Sequence, residues 1–194
     1  MRHLILILII LASSLIVTAQ NSSPDAALRQ AAQDGHITAV KDLIEKGANV
    51  NARDEAGRAA LLWVAPARDN PEMVKFLIEK GAEVNAKDNS GETALMIAAS
   101  QSNPGIVTAL LEAGAEVDAQ NKTGGTALMA AAFRANLEEI KILLNNNADR
   151  KVKDKKGRTA FDLAAEGSKK YSDPVNRDRF AEALKLLEVP VNEP

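Results

Sequence analysis

Apolar residues in this chain fall in short clusters separated by polar turns, and the clusters recur in one order. From Asp88 the chain reads Asp88-Asn89-Ser90-Gly91-Glu92, a polar turn, then Thr93-Ala94-Leu95-Met96-Ile97-Ala98-Ala99. Asn103-Pro104-Gly105-Ile106-Val107 and Leu110-Leu111 follow, and Gly114-Ala115-Glu116-Val117-Asp118-Ala119 closes the unit. The next unit repeats this 33 residues on, with Gly91 returning as Gly124, Thr93 as Thr126, Leu95 as Leu128 and Ala98-Ala99 as Ala131-Ala132. A fixed period of this size marks stacked supersecondary units. Each unit holds two short helical patterns; in the first unit Val40, Leu43 and Ile44 share one face of a helix predicted over 36–46.

The helix boundaries are written in capping residues. Ser23-Pro24-Asp25 supplies an N-cap, a proline in the first turn and an acid near the positive end of the helix dipole. Asn70-Pro71 and Asn103-Pro104 open second helices, and Asn136 and His36 stand at the matching places as predicted caps. The second helices stop at Gly47, Gly81, Gly114 and Asn147, residue types that accept a left-handed backbone.

A turn ending in Gly, a Thr-x-Leu step, a short Ala-rich helix, a second helix and a Gly-Ala-x-Val-Asn/Asp-Ala exit together resemble the ankyrin repeat. That family usually carries Thr-Pro-Leu-His where this chain has Thr93-Ala94-Leu95-Met96. The resemblance covers almost everything after residue 24. It implies an all-α repeat solenoid, a stack of about five helix-turn-helix units joined by hairpin-like loops. The repeats are expected near 24–53, 54–87, 88–120, 121–153 and 154–189, after a polar lead-in at 20–23 and before a tail at 190–194. The second unit is irregular: it has Ala59 where Thr is expected, and one extra residue near Pro66-Ala67-Arg68-Asp69. In the fifth unit, Gly167 to Asp178 reads as a polar loop. A capping helix is expected beyond it, with Phe180, Ala183, Leu184 and Leu187 inward, Arg179, Glu182, Lys185 and Glu188 toward water, and Pro190 as its stop.

Met1-Arg2-His3, the apolar run Leu4 to Val17 and the Val17-Thr18-Ala19 step have the layout of a secretory signal peptide at 1–19, cut after Ala19. The rival reading is a retained anchor, but the run makes about 21 Å of helix against a hydrocarbon core of about 30 Å. Periplasmic or secreted location follows as the expectation, with no membrane span after cleavage. There are no cysteines, which removes disulfides, thiol nucleophiles and a lipoprotein anchor. Export without cysteine fits a bacterial periplasmic or secreted protein better than a eukaryotic ectodomain. Aromatics make up only 3% of residues, as a stack of thin helical units requires, and the net charge of −2 gives no field to gather nucleic acid. Asn121-Lys122-Thr123 matches a glycosylation acceptor, yet Asn121 sits in the slot that Asp54, Asp88 and Asp154 fill elsewhere.

Nothing in the chain reads as catalytic, cofactor-binding or metal-binding: His3 belongs to the signal segment, and His36 reads as a cap. Glu138-Glu139 is explained by the helix dipole, and no Ser has a base in a recognisable motif. The resemblance implies instead a non-catalytic scaffold, expected monomeric, that binds a protein partner on the hairpin tips and the concave face. Candidate contact residues are Glu55, Arg58, Asn89, Glu92, Lys122, Phe133, Arg134, Lys155, Lys156 and Arg158. Phe133 and Arg134 are expected near the centre, between Lys122 and the basic hairpin; Phe133 packing against the next repeat is the alternative. Trp63 reads as a packing residue. From Asp149 onward Lys and Arg outnumber Asp and Glu by 11 to 9, whereas residues 20–148 have 12 against 17. The cationic cluster at Arg150–Arg158 is either an acidic partner's docking patch or a solvated tip. A second functional reading is an accessory or inhibitory subunit of an exported enzyme.

Overall fold

The computed structural model describes residues 23–66, 70–171 and 173–188. The expected signal peptide, most of the lead-in, Ala67-Arg68-Asp69, Pro190 and the tail lie outside the described residues. Ten helices are described, in pairs: α1 (Pro24–Gln33) and α2 (Ile37–Glu45), α3 (Ala60–Val64) and α4 (Pro71–Glu79), α5 (Ala94–Gln101) and α6 (Pro104–Glu112), α7 (Ala127–Arg134) and α8 (Leu137–Asn145), α9 (Ala160–Lys170) and α10 (Pro174–Leu187). No strand occurs among the described residues; a single antiparallel bridge joins Lys87 and Thr93. The first helix of each pair packs on the first helix of the next, from α1 to α9, and from α4 onward the second helices do the same to α10. The protein is an all-α repeat solenoid of two helical layers.

The apolar spacing explains the layering. Leu61, Leu95 and Leu128 recur at one position of the first helices and are all buried, as are Leu77, Leu110 and Leu143 at one position of the second helices. Alanines between them, such as Ala98-Ala99 and Ala131-Ala132, are fully enclosed and let neighbouring helices approach closely. Thr93, Thr126 and Thr159 each accept the N–H three residues on, at 3.3 Å. Ala59 offers no such acceptor, and α3 has only five residues. The second helices stop where expected, with φ of 90°, 89°, 86° and 64° at Gly47, Gly81, Gly114 and Asn147.

Two expected caps act differently. Asn136 makes no side-chain cap; its Nδ2 donates 2.8 Å to the carbonyl of Ala99 in the preceding pair. Asn103 likewise donates to the Ala65 carbonyl at 2.8 Å. Both asparagines are buried, so they tie one unit to the last. Asn70 does cap, accepting from the Met73 N–H. His36 stands at the N-cap position of α2, exposed and without a side-chain cap bond.

The expected polar loop from Gly167 to Asp178 is not present. Helix α9 runs through Lys170, and α10 begins at Pro174 with Asp173 accepting the Asn176 N–H. Asp173-Pro174 is the same start signal as Asn70-Pro71. The connection is short because Tyr171 turns inward, its ring edge-on to Phe133 at 6.1 Å and stacked on Phe180 at 6.4 Å. Arg179, expected in water, is half-buried, and its Nη2 donates 3.0 Å to the Ala135 carbonyl.

Gly167 is helical and buried at this junction, and a Cβ there would run into the Phe133 carbonyl and the Phe180 ring. Alanine ordinarily stabilises a helix over glycine by roughly 1 kcal/mol. Here overpacking should win, and Gly167→Ala should destabilise by about 1–3 kcal/mol. Denaturant unfolding checks this; a variant as stable as the parent, or more so, contradicts the packing described for α7, α9 and α10.

Candidate functional site

The candidate surface is built from four hairpin turns that precede the first helices. Each begins with an acceptor side chain that folds the turn around itself. Asp88 Oδ1 takes the N–H groups of Ser90 and Glu92 at 2.8 and 2.9 Å, and Asn121 Oδ1 takes those of Thr123 and Gly125 at 2.9 Å. Asp154 Oδ1 does the same for Lys156 and Arg158, and Asp54 Oδ1 takes Arg58 N–H. An amide oxygen serves as well as a carboxylate, which is why Asn121 fits the slot.

Successive turns are joined. The N–H of Asn89 donates to the Ala56 carbonyl at 2.8 Å, that of Lys122 to Ser90 and that of Lys155 to Thr123, both at 2.9 Å. At Gly91 and Gly124 the φ angles are +83° and +82°, and a Cβ would lie 2.9 and 2.8 Å from the next turn's backbone nitrogen. Only glycine meets both demands there.

Two further bridges run alongside. Arg53, Lys87 and Gln120 donate their side chains to the carbonyls of Lys87, Gln120 and Lys153. Asn51 and Asn85 each receive a backbone N–H from the following loop, from Glu83 and Glu116, and donate to Gly81 and Gly114 carbonyls. Asp118 receives Asp149 N–H at 3.0 Å. These bridging residues escaped sequence reasoning, although their recurrence at the repeat spacing was a usable signal.

The turns place Glu55, Asn89, Lys122, Lys155 and Lys156 in one exposed row. The Asn89 amide is spent inside it, donating to the Glu55 carbonyl at 2.9 Å. Glu55, Lys122, Lys155 and Lys156 make no side-chain hydrogen bond or ion pair among the described residues. The two arginines are committed inward. Arg158 binds Asp154 at 2.7 Å and Glu166 at 2.7 Å, and Arg58 binds Asp54 at 3.2 Å with its guanidinium 3.9 Å over the Trp63 ring. Trp63 Nε1 donates to the same Asp54 carboxylate, so this tryptophan anchors a turn.

Phe133 and Arg134 belong to another patch. They end α7, whose eight residues carry them about 12 Å from the turn that starts it. Their neighbours are not Lys122 and the basic hairpin. Phe133 is half-buried against Tyr171, while exposed Arg134 lies 5.8 Å from the Tyr171 ring and lines a polar pocket of about 260 Å³ with Ser100, Gln101, Asn136 and Asn176. Among the described residues no cluster of His, Cys, Asp and Glu could hold a metal, and no helix is long and apolar enough to cross a membrane. Glu138 is exposed and Glu139 buried, both in the first turn of α8, where the dipole favours a negative charge.

The turn carboxylates are tuned. Hydrogen bonds from the Arg158 side chain, then from its backbone N–H, hold Asp154 below its usual range. Burial pushes Asp54 and Asp88 up, but hydrogen bonds from Arg58, and from Ser90 and Glu92, more than offset it, so both end lowered. Burial, with the Asp88 charge beside it, raises half-buried Glu92. A depressed folded pKa gives stability that is present above the unfolded value, about 3.9 for Asp, and lost as pH falls through the folded value. Glu92 acts with the opposite sign. The melting temperature should therefore hold down to about pH 5 and fall below about pH 4. Changing Asp54, Asp88 and Asp154 to Asn, the residue at 121, should shrink that fall. An unchanged acid slope in thermal melts would remove the turns from the account.

A family model described as ankyrin repeats (3 copies) matches residues 28–121 and 103–173. A search of curated proteins gave no match. The matched segments span most of the chain and contain helices α2 to α9, the acceptor-led turns and the glycine exits, and the chain belongs to the ankyrin-repeat family.

Proposed function

We propose that this chain is a non-catalytic scaffold that binds a protein partner along its row of hairpin turns and the concave face behind it. Ankyrin repeats generally mediate protein–protein interactions. The observation that carries the finer reading is the backbone coupling of turn to turn, which holds Glu55, Lys122, Lys155 and Lys156 in a fixed row with their charges unspent. A backbone ordered before binding loses less entropy on association. The row runs from an acid at the second unit to cations at the fourth and fifth, which favours a partner of opposite polarity along its length. Arg134, beside the Phe133–Tyr171 pair, offers a second contact at the helix ends. The protein works outside the cytoplasm after removal of residues 1–19, a reading supported by the Leu4–Val17 run and the Val17-Thr18-Ala19 step.

Capture from extract with the chain that starts at Gln20 tests the reading. Exported protein should itself show Gln20 as its first residue; Met1 would mean a retained anchor. Changing Lys122, Lys155 and Lys156 together to Glu should weaken the captured partner's binding at least about tenfold, with the melting temperature held. Phe133→Ala should instead lower the melting temperature, because it removes the edge-on contact with Tyr171. Undiminished capture by the triple variant contradicts the hairpin row as the binding surface.

A further inference from the structure

Three positions that are buried or bridged in the earlier units are exposed at the last hairpin and in the fifth unit. Leu61, Leu95 and Leu128 are buried, while Phe161, which occupies their place in the fifth unit, is 36% exposed. The place held by Asn51, Asn85 and Asp118 passes to Lys151, and that of Arg53, Lys87 and Gln120 to Lys153. Around Phe161 and Leu187 lies an apolar groove of about 360 Å³, rimmed by Arg150, Lys151, Lys153 and Glu188. Lys151 and Lys153 are exposed and form no side-chain hydrogen bond or ion pair among the described residues. Arg150 Nε donates to the Leu186 carbonyl at 3.3 Å, which fixes its side chain at the rim. The nearby Asp162 feels the Lys153 charge but is occupied by the Thr159 N–H and hydroxyl.

The lysine at 151 selects what the groove can take. At each earlier step this position accepts a backbone N–H from the next loop, at 3.0, 2.9 and 3.0 Å. An ammonium group has donors only, so it would leave that N–H facing a cation. The position therefore no longer suits a backbone N–H, and an exposed ammonium favours carboxylates. We propose that this end groove binds an acidic segment of a partner protein, seating an apolar side chain on Phe161, above the buried Leu187, while its carboxylates pair with Lys151 and Lys153. Lys151 and Lys153 flank the last hairpin, apart from the tip residues Lys155 and Lys156, and their substitution tests this groove separately from the tip row.

The probe is a fluorescein-labelled peptide with a central Leu-Leu pair flanked by Glu residues, and its twin with Gln in place of Glu. Fluorescence polarisation should show the acidic peptide binding and the twin binding at least about tenfold more weakly. Lys151→Glu with Lys153→Glu should weaken the acidic peptide by at least about tenfold, and Phe161→Ser by a similar factor. Phe161→Leu restores the residue type of the other units and should bind within about threefold of the parent. Lys46→Glu, far away in the first unit, should leave binding unchanged. Circular dichroism confirms that each variant is folded, and all of them alter exposed positions. Several results overturn the proposal: no binding at about millimolar protein, equal binding of the Gln twin, or full binding by the double lysine variant. Concentration-dependent dimers abolished by Phe161→Ser would assign the groove to a second copy. A chain ending at Glu188 that binds the peptide much more tightly would assign it to residues 189–194.

Discussion

Everything in this protein depends on one junction repeated down the stack, the hydrogen bond from each hairpin turn to the carbonyl of the turn before it. One such bond contributes only about 0.5–1.5 kcal/mol. Its importance is geometric, because it brings backbone to backbone and leaves no room for a side chain. Gly91 and Gly124 follow from that closeness, and so do the acceptors at Asp88, Asn121 and Asp154, which fold each turn so that its amide and carbonyl face opposite neighbours. The Asn103 and Asn136 bridges repeat the logic at the far end of the first helices. No unit is complete alone, and each contact is with the nearest neighbour.

This coupling explains where a surface is free to act. Many polar side chains near the turns are consumed within the stack: Asn89 joins two turns, while Arg58 and Arg158 brace their own. The charges left over point away from the stack, at the tips. The ends differ from the middle for the same reason. Positions that are filled between the earlier units are exposed at the last hairpin and in the fifth unit, at Lys151 and Phe161.

Period, helix pairing and stop positions were legible in the sequence because each depends on local chemistry. A glycine at the end of a helix, or Thr before an apolar run, announces itself within a few residues. The bridges were not legible in this way, since Asn136 looks like a helix cap until the carbonyl of Ala99, 37 residues earlier, is seen to lie beside it. Gly167 misled in the same fashion: it reads as a loop glycine and is a close-packing one, dictated by Phe133 and Phe180 from two other helices. Most candidate contacts fall on the turns that the structure joins in series, but which charges are spent depends on partners such as Glu166 and Trp63, and Phe133 is placed by a Tyr171 read as loop. Local signals locate the elements; contacts between units decide what each side chain is free to do.

Amide hydrogen exchange at Asn89, Lys122 and Lys155 tests the coupling most directly, because each of these N–H groups has the preceding turn's carbonyl as its acceptor while its residue is exposed. If the turns are locked in series, all three should exchange at least about a hundredfold more slowly than freely solvated amides, and should do so together, as parts of one cooperative opening. Exchange at the free-peptide rate at these positions, with the buried helices still protected, would mean that the turns move independently and that the stack is held by its helices alone.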